Sequence, residues 1–491
     1  MLVSFALWHR SVCRKLPPGP ASFPVVGNMM SFPRREKAQR ARELAGVCEI
    51  TYFHGLGQSI LILNNRRAVS EFLVRRCDIT GGRPTMTMAG ELAGFDGSII
   101  LRQPGKEFRE MRKNMSGAVG KSGASNFNKL LRPHDLGVYL SKVLRTPNQF
   151  FKHNRWLFGT YIMSVAYGYR PTEHNDPFIT AAERAMFEFI GLAEPGTWII
   201  DIFPFLKHIL PKIPFGGYKE SIARFRESTK ALSVTPFQMV KQAIRTQEGA
   251  IASESFCASL IQQMSPNATQ ADEYFAAWTV GNVYAGGSDT TISSFCSFYL
   301  AMCLHPVVKQ KAQAEVDLFT ERMNRFPNAN ESDQFPYLCA LISELHRWAV
   351  IAPMGAAHMS LEDMEYHGHI IPKNTTILFN SWAISQDPEL YPNPSEFRPE
   401  RFLGSNPQLD PREFAFGGGR RICPGMDLAD TMMFLALSGC LATLEITSFP
   451  DRPPGHAWTD RFARHPVPFE CNITLRSSKA QEWIDAALAD G

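Results

Sequence analysis

A glycine-rich loop that ends in a cysteine constrains this chain more than any other stretch. The loop from Phe414 to Gly425 contains three consecutive glycines, two arginines, Cys423 and a Pro-Gly pair. Glycines let the backbone adopt conformations that other residues avoid, and they let another surface approach closely. An apolar, helix-forming run follows, so Cys423 is expected just ahead of a helix start, where backbone N–H groups favour a thiolate. A thiolate beside arginines suits a metal cofactor with acidic groups; the alternative is a buried free cysteine.

Composition excludes several classes of protein. Among the 491 residues, 44% are apolar and 20% are charged, which is an ordinary globular balance with enough material for a core. The net charge of +4 is too small to indicate a nucleic-acid partner. The ten cysteines are dispersed without a Cys-x-x-Cys pair, which argues against a zinc site or a disulfide scaffold. The sequence shows no repeats and no interior linker, so we expect one domain over residues 20–491.

The second informative stretch is a long predicted helix from Ala271 to Leu304, ended by a His-Pro pair. At about 1.5 Å per residue it would be about 50 Å long. Its centre reads Ala-Gly-Gly-Ser-Asp-Thr-Thr, and each glycine inside a helix costs about 1 kcal/mol relative to alanine. One interpretation is that the glycines make space for a flat cofactor, beside which Asp289 and Thr290 supply an acid and a hydroxyl. The alternative is a kink with threonine hydroxyls bonded back to the helix.

Five residues of the cysteine loop reproduce the haem-binding signature Phe-x-x-Gly-x-Arg-x-Cys-x-Gly: Phe416, Gly419, Arg421, Cys423 and Gly425. The chain thereby resembles the haem-thiolate monooxygenases, the cytochrome P-450 family, in its fungal microsomal type. The glycine segment of the long helix is similar to the family's (Ala/Gly)-Gly-x-(Asp/Glu)-Thr-Thr. The resemblance implies a mainly α fold with small β-sheets (α+β), whose long central helix crosses the cofactor. It also implies haem b (iron protoporphyrin IX) with Cys423 as the axial thiolate ligand, and a catalytic role for Asp289 and Thr290.

Further matches extend the expected haem site. The stretch from Phe108 to Arg112 is similar to the family's Trp-Arg-x-x-Arg, so Arg112, with Arg109 as a second candidate, is expected to pair with a haem propionate. Phe108 replaces the usual indole and removes one N–H donor. His358 matches the basic residue that meets a propionate; the alternative is an ordinary hydrogen-bonded histidine. Gln386 stands where histidine is common in the family.

A structural triad is implied by two more segments. Glu344 and Arg347 are three residues apart, on one face of a predicted helix. Arg401 lies in a Pro-Glu-Arg-Phe segment that resembles the family's. We expect Arg401 to join the pair in the protein interior and brace the segment that carries Cys423. The alternative is an exposed ion pair worth less than about 1 kcal/mol.

Two other regions are apolar and are expected to contact a membrane surface or the protein interior. Residues 198–217 are apolar and interrupted by prolines, so they are expected either as a lid over the substrate channel that dips into a membrane surface or as a packed connector. Residues 1–19 combine an apolar run with a basic stretch and resemble a remnant or partial membrane anchor. The apolar run is shorter than the roughly 20 residues that span a bilayer. Scattered positions are expected to line the substrate pocket: Phe95, Val280, Gly286, Ile351 and Phe462.

The resemblance implies a monooxygenase that inserts one oxygen atom from O₂ into a small apolar substrate, such as a fungal terpenoid or other secondary metabolite. The chain has no flavin, nicotinamide or iron–sulfur motif, so electrons are expected from NADPH through a partner NADPH-cytochrome reductase. That partner would be steered by Arg109, Lys113 and Arg412, on the cytoplasmic face of the endoplasmic reticulum membrane. Two alternatives remain: a haem-thiolate isomerase or dehydratase, and a haem-binding protein that has lost turnover. The Asp289-Thr290 pair argues against the first.

Overall fold

Helices make up most of the computed structural model, which describes residues 16–24, 26–46, 48–121, 127–173, 175–193, 198–209, 212, 217–246 and 254–490. The α-helices are α1 (Lys37–Ala45), α2 (Arg66–Val69), α3 (Lys106–Val119), α4 (Pro133–Arg145), α5 (Phe150–Tyr167), α6 (Pro177–Leu192), α7 (Ile199–Ile202), α8 (Tyr218–Leu232), α9 (Val234–Thr246), α10 (Phe256–Gln263), α11 (Gln270–Leu304), α12 (Pro306–Met323), α13 (Pro336–Ala349), α14 (Ser381–Ser385), α15 (Arg412–Ala415), α16 (Met426–Thr443) and α17 (Ser478–Ala489).

Helix α11 is the long helix that the sequence predicts. It begins at a capping box in which the side chains of Thr269 and Asp272 each accept a backbone N–H of the other. It ends before Pro306, which cannot donate to a continuing helix. Most side chains between Ala276 and Cys303 are buried, so the helix runs through the core, where α5 is its main neighbour. The expected long central helix is confirmed, and it continues through both glycines without a break.

The strands of the described residues form three small sheets. The strands are β1 (Ile50–Gly55), β2 (Gln58–Leu63), β3 (His358–Met359), β4 (Met364–Tyr366), β5 (His369–Ile371), β6 (Thr376–Phe379), β7 (Leu444–Thr447) and β8 (Asn472–Leu475). The sequence from Ile50 to Leu63 predicts two strands around a Gly55-Leu-Gly57 turn. Strands β1 and β2 form this hairpin, with Ile50 opposite Leu63, and the four-stranded sheet has the order β1-β2-β6-β3. Strands β4 and β5, and β7 and β8, form separate pairs. The prediction of a mainly α fold with small β-sheets is therefore confirmed.

One described helix, α16, is long and apolar enough to cross a membrane, but 72% of that stretch is buried inside the protein, as in a core helix. Helices α11 and α12 pass the same test only as a pair, and they meet at a bend of 111°. The apolar run at positions 1–8 of the expected anchor lies outside the described residues, as do positions 210–211 and 213–216 of the expected lid.

Candidate active site

The cysteine loop links α15 to α16 and is shaped by its glycines. Gly417 and Gly419 have φ angles of +81° and +57°, in the left-handed region that glycine tolerates best. A Cβ on Gly419 would lie 1.9 Å from the carbonyl oxygen of Leu73, so no other residue fits there without a shift of the backbone. The N–H of Cys423 donates to the carbonyl of Phe416 over 2.8 Å and closes the loop. Cys423 is thus held just before α16 begins.

The Cys423 side chain is exposed to an internal cavity of about 340 Å³. Burial deep in the protein raises the pKa of its thiol, while the N–H of Gly425 and the Arg112 guanidinium act in the opposite direction. The described residues contain no group of three or more histidine, cysteine, aspartate or glutamate side chains that could hold a metal ion. A single cysteine thiolate at a cavity is the protein donor of a haem-thiolate site.

The two central glycines of α11 serve different purposes. A Cβ on Gly286 would meet nothing within 4 Å, so this position leaves open space in the cavity. A Cβ on Gly287 would lie 2.4 Å from Ile162 of α5, so that glycine allows close helix packing. The Thr290 hydroxyl donates to the Gly286 carbonyl over 2.7 Å, which is the back-bonding of the alternative interpretation. Features of both interpretations therefore occur in this helix. Gly286 leaves space for a flat group, and the Thr290 hydroxyl is bonded back to the helix.

Positive charge on three arginines borders the cavity, and its described lining residues include one carboxylate. Arg83, Arg112 and Arg421 all line it, and Asp289 is the only acidic residue among its described lining residues. Burial, with Arg421 as a like-charged neighbour, lowers the pKa of Arg83 to about 9, and the Nε of Arg83 is buried without a hydrogen-bond partner among the described residues. Burial and Arg112 lower the pKa of Arg421 to about 10. Such a cluster favours an anionic ligand, and haem propionates fit it.

Arg83 is a site residue that sequence reasoning missed. Its side chain is only 5% exposed, and its Nη1 donates to the carbonyls of Ala356 and Ala357, beside β3. The sequence gives only a Gly-Gly-Arg-Pro stretch in an irregular segment, and nothing local marks this arginine as buried. Its position follows from the contact of two segments more than 270 residues apart.

His358 lines the cavity but is better described as a neutral, hydrogen-bonded histidine. Its Nδ1 lies 3.2 Å from the carbonyl oxygen of Thr80. Burial, followed by the like charge of Arg83, holds its pKa well below the usual value. The alternative that the sequence left open therefore has support, and the positive charge on this side of the cavity comes from the arginines.

The variant arginine motif on α3 also has a defined geometry. The Phe108 ring lies under the Arg421 guanidinium, with 3.8 Å between the guanidinium carbon and the ring centroid. Phe108 stands where the family has an indole, and it makes a cation–π contact with Arg421 at this position. Arg112 lines the cavity and its Nη1 donates to the carbonyl of Ile422, whereas Arg109 is exposed and is not among the lining residues. Of the two candidate arginines, only Arg112 reaches the site.

Four of the five expected pocket residues line the cavity: Phe95, Gly286, Ile351 and Phe462. Val280 is not among the lining residues of this cavity, because its fully buried side chain packs into the core. Gln386, the other variant position, donates to the Ser385 hydroxyl over 3.1 Å and lies outside this cavity.

The structure brings the three members of the expected triad together. The side chains of Glu344, Arg347 and Arg401 are all 0% exposed. Arg347 binds the carboxylate through Nε and Nη2, each over 2.8 Å, and Arg401 Nε lies 3.2 Å from it. Their remaining guanidinium N–H groups reach backbone carbonyls, among them those of Ser385 and Glu396. The predicted burial and pairing are therefore observed.

Asp289 makes a contact that the sequence did not predict. Its Oδ1 lies 3.0 Å from Nε2 of His465, in the C-terminal tail. The family resemblance also implies that the tail returns to the pocket near Phe462, and both Phe462 and Ala463 line the cavity. Cys423 and the pair formed by Asp289 and Thr290 therefore border one shared cavity, in an arrangement suited to a reaction at a haem.

Comparison with known proteins agrees with this geometry. The family model described as Cytochrome P450 matches residues 17–473. Cytochrome P450 monooxygenase claR of Ampulloclitocybe clavipes is 34% identical over 482 residues, which cover 96% of this chain and 88% of that protein. Cytochrome P450 monooxygenase 208 of Postia placenta is 34% identical over 483 residues, 96% of this chain and 92% of that protein.

A relative with a named substrate is tryptamine 4-monooxygenase of Psilocybe cyanescens, which is 32% identical over 493 residues, covering 95% of this chain and 94% of that protein. These relatives are fungal oxidoreductases whose names state that they incorporate oxygen. With the cysteine loop, the cavity and the family match in agreement, the chain belongs to the cytochrome P450 family and is a monooxygenase.

Proposed function

We propose that this monooxygenase inserts one oxygen atom from O₂ into a small, uncharged, apolar molecule, with electrons from NADPH delivered by a separate reductase. The observation that carries the proposal is the shared cavity, which Cys423 borders together with Asp289 and Thr290. The Cys423 thiolate would hold haem b, and Arg83, Arg112 and Arg421 would bind its acidic groups. When bound, the haem supplies O₂ activation and oxygen transfer.

The protein's own contribution is to position the substrate and to supply protons. Thr290 keeps its hydroxyl at the cavity by donating to the Gly286 carbonyl, so its oxygen remains able to accept a hydrogen bond from a neighbour. Asp289 borders the same cavity and is the acid that supplies protons to the site. This pair favours oxygen insertion over the isomerase or dehydratase alternative, which needs no such relay.

The lining of the cavity indicates the class of substrate. Its wall includes Phe95, Phe189, Trp278 and Phe462. Its buried amide, Asn282, is already engaged, because its oxygen accepts from Ser98 Oγ over 3.1 Å and from the Ile99 N–H over 2.9 Å. The aromatic part of this wall fits a terpenoid or another apolar fungal secondary metabolite.

An amine substrate is less well matched. The relative named tryptamine 4-monooxygenase acts, by its name, on an amine. In this chain the one carboxylate among the described lining residues, Asp289, is paired with His465. An ammonium group would have to share that carboxylate with the histidine. The proposal of an uncharged substrate follows from this pairing.

Exposed basic residues near the cysteine loop suit an acidic reductase surface. Arg420 belongs to the loop, and Arg109 and Lys113 flank Arg112 on α3; all three are exposed. Arg412 is less suited to this role than the sequence indicated, because it is already paired with Asp410 at 2.8 Å and Asp430 at 3.3 Å. We therefore propose that Arg109, Lys113 and Arg420 steer the reductase.

The proposed function is tested with haem-loaded protein, a fungal NADPH-cytochrome reductase and a set of apolar metabolites. Substrates are first selected because they displace the water ligand of the iron, which changes the absorption spectrum. We expect NADPH consumption that depends on the reductase, with a product heavier by one oxygen atom in mass spectrometry. A product of unchanged mass formed without NADPH would establish the isomerase alternative. A thiolate-type carbon monoxide spectrum without turnover of any bound compound would indicate lost activity.

Replacing Thr290 with alanine should uncouple electron use from product formation. A positioned proton-transfer group typically contributes roughly 10²–10⁴-fold, so we expect product per NADPH to fall by about tenfold or more. The missing reducing equivalents should appear as hydrogen peroxide, and the carbon monoxide spectrum should persist. Ser288→Ala is the matched control, since Ser288 also bonds back to α11, over 3.4 Å, but lies outside the cavity lining. Unchanged coupling in Thr290→Ala would remove this residue from the relay.

The segment from α7 to Ile209 is proposed to touch a membrane surface, as expected for a protein on the endoplasmic reticulum. Phe203, Phe205 and Ile209 are 45%, 61% and 50% exposed, and they lie close together in sequence beside Lys207. Isolated exposed apolar residues are ordinary, but adjacent large ones favour an apolar contact. This segment would rest on the membrane while the cysteine loop remains available to the reductase.

The double variant Phe203→Ser, Phe205→Ser should weaken binding to vesicles of microsomal lipid composition. Burial of a phenylalanine is worth about 1.5–3 kcal/mol, so a loss of about 10-fold to 100-fold in the partition coefficient is expected when both are partly inserted. The control is Leu318→Ser, which removes a 74% exposed apolar side chain elsewhere. Equal binding of the double variant and the control in a flotation assay would contradict the proposal.

A further inference from the structure

A turn in the C-terminal tail places His465 beside Asp289, the proposed acid of the proton relay. His465 Nε2 lies 3.0 Å from Asp289 Oδ1, and the two side chains are 21% and 27% exposed. Among the described residues, His465 is the only positively charged or protonatable group within ion-pair distance of Asp289. The contact is therefore specific, and it lies at the edge of the cavity rather than in open solvent.

The backbone around His465 is fixed independently of this contact. The N–H of His465 donates to Thr459 Oγ1 over 3.0 Å, and the N–H of Thr459 donates to the His465 carbonyl over 2.8 Å. Ser293 Oγ donates to the Arg464 carbonyl over 2.5 Å. Ser293 lies one helical turn after Asp289 on α11. The turn is thus docked on the same face of the helix that presents the acid.

Arg464 anchors the turn to a second helix. Its Nε donates to the carbonyls of Ala349 and Val350, at the end of α13, and its N–H donates to the Ile351 carbonyl over 2.9 Å. The guanidinium is buried, and that burial lowers its pKa to about 9. It satisfies carbonyls at a helix end that have no intrahelical partner. His465 is therefore held between α11 and α13 before any substrate enters.

A surface aspartate on a helix samples several rotamers, and a fixed donor selects one of them. We propose that His465 is a positioning residue for the oxygenation reaction: by bonding Oδ1 it holds the Asp289 carboxylate at the cavity edge, beside Thr290. The inference rests on the proposed proton relay. It predicts that the tail histidine, remote from the haem-binding motifs, sets the fraction of electrons that end in product.

Three variants separate this role from a merely structural one. His465→Phe keeps a ring of similar size without a donor, and His465→Gln keeps a donor that cannot carry a charge. His456→Phe is the matched control, because His456 lies in the same tail and stacks near Trp348 and Trp458 without contacting Asp289. Haem content, carbon monoxide spectrum, thermal midpoint, NADPH use, peroxide and product are measured for each.

We expect His465→Phe to lower product per NADPH by about fivefold with a matching rise in peroxide. The Gln variant should recover most of the loss, and the His456 control should match wild type. In an Asp289→Asn background, His465→Phe should change coupling little, because both act through one contact. The same non-additivity should appear in the thermal midpoints, which do not depend on turnover.

The outcomes distinguish the inference from the function on which it rests. If wild-type protein makes no oxygenated product, the proposed function fails, while the thermal midpoints still test the contact. If wild type is well coupled and His465→Phe is equally well coupled, the positioning role is wrong. An undiminished effect of His465→Phe in the Asp289→Asn background would also overturn it, since the histidine would then act by another route.

Discussion

Replacing Cys423 with alanine is expected to abolish both the thiolate-type carbon monoxide spectrum and product formation. Cys423 is the cysteine among the described residues that lines the cavity, and no described cluster of metal-binding side chains offers a substitute ligand. Without the thiolate, the iron of a bound haem loses the donor that favours cleavage of the O–O bond. The measurements are haem content, the carbon monoxide difference spectrum and product yield with the reductase.

Cys77 provides the control for this experiment. It is the cysteine packed against the loop, with its Cβ 3.2 Å from the position that a Cβ on Gly419 would occupy, yet it does not line the cavity. Cys77→Ala should therefore keep the spectrum and the activity. A thiolate spectrum retained by Cys423→Ala, or lost only in Cys77→Ala, would show that another cysteine holds the cofactor and would end the assignment.

Replacing Glu344 with alanine is expected to leave little folded protein. The carboxylate balances two guanidinium groups, Arg347 and Arg401, and all three side chains are fully buried. Removing one member of a buried ion pair typically costs about 3–5 kcal/mol, because it leaves uncompensated charge in the interior. Glu344 also accepts the N–H of Arg398 over 2.8 Å, so the segment after α14 loses a tether. The measurements are the yield of soluble, haem-loaded protein and its thermal midpoint.

A matched surface pair makes this prediction decisive. Glu413 bonds Arg66 at 2.7 Å, but both side chains are about half exposed, at 49% and 53%. Such a pair contributes at most about 1 kcal/mol, so Glu413→Ala should express and unfold like wild type. Glu344→Gln, which keeps the shape but loses the charge, covers the case in which the alanine variant does not fold at all. A thermal midpoint for Glu344→Gln equal to that of the surface control would show that the buried charge is unimportant.

Several features of the fold and the site could be predicted because they are encoded locally. The periodicity and end signals of α11 lie within one continuous stretch, and the β1–β2 hairpin is set by a Gly-Leu-Gly turn. The cysteine loop is specified by glycines that the backbone requires at fixed positions. The pairing of Glu344 with Arg347 follows from their spacing on one helix face. In each case the residues that decide the conformation are neighbours in the chain.

The tertiary structure decided the features of the site that depend on contacts between distant segments of the chain. Arg83 became a cavity cation because its segment meets the stretch before β3, and His465 reached Asp289 because the tail docks on α11. The same packing made His358 neutral and excluded Val280 from the pocket. The sequence by itself therefore determined the family, the ligand-bearing loop and the long helix. The fold determined the charge states of the site residues, their ion-pair partners and their access to the cavity. Burial and long-range contacts fix the free energy of a charged group, and the sequence does not show them.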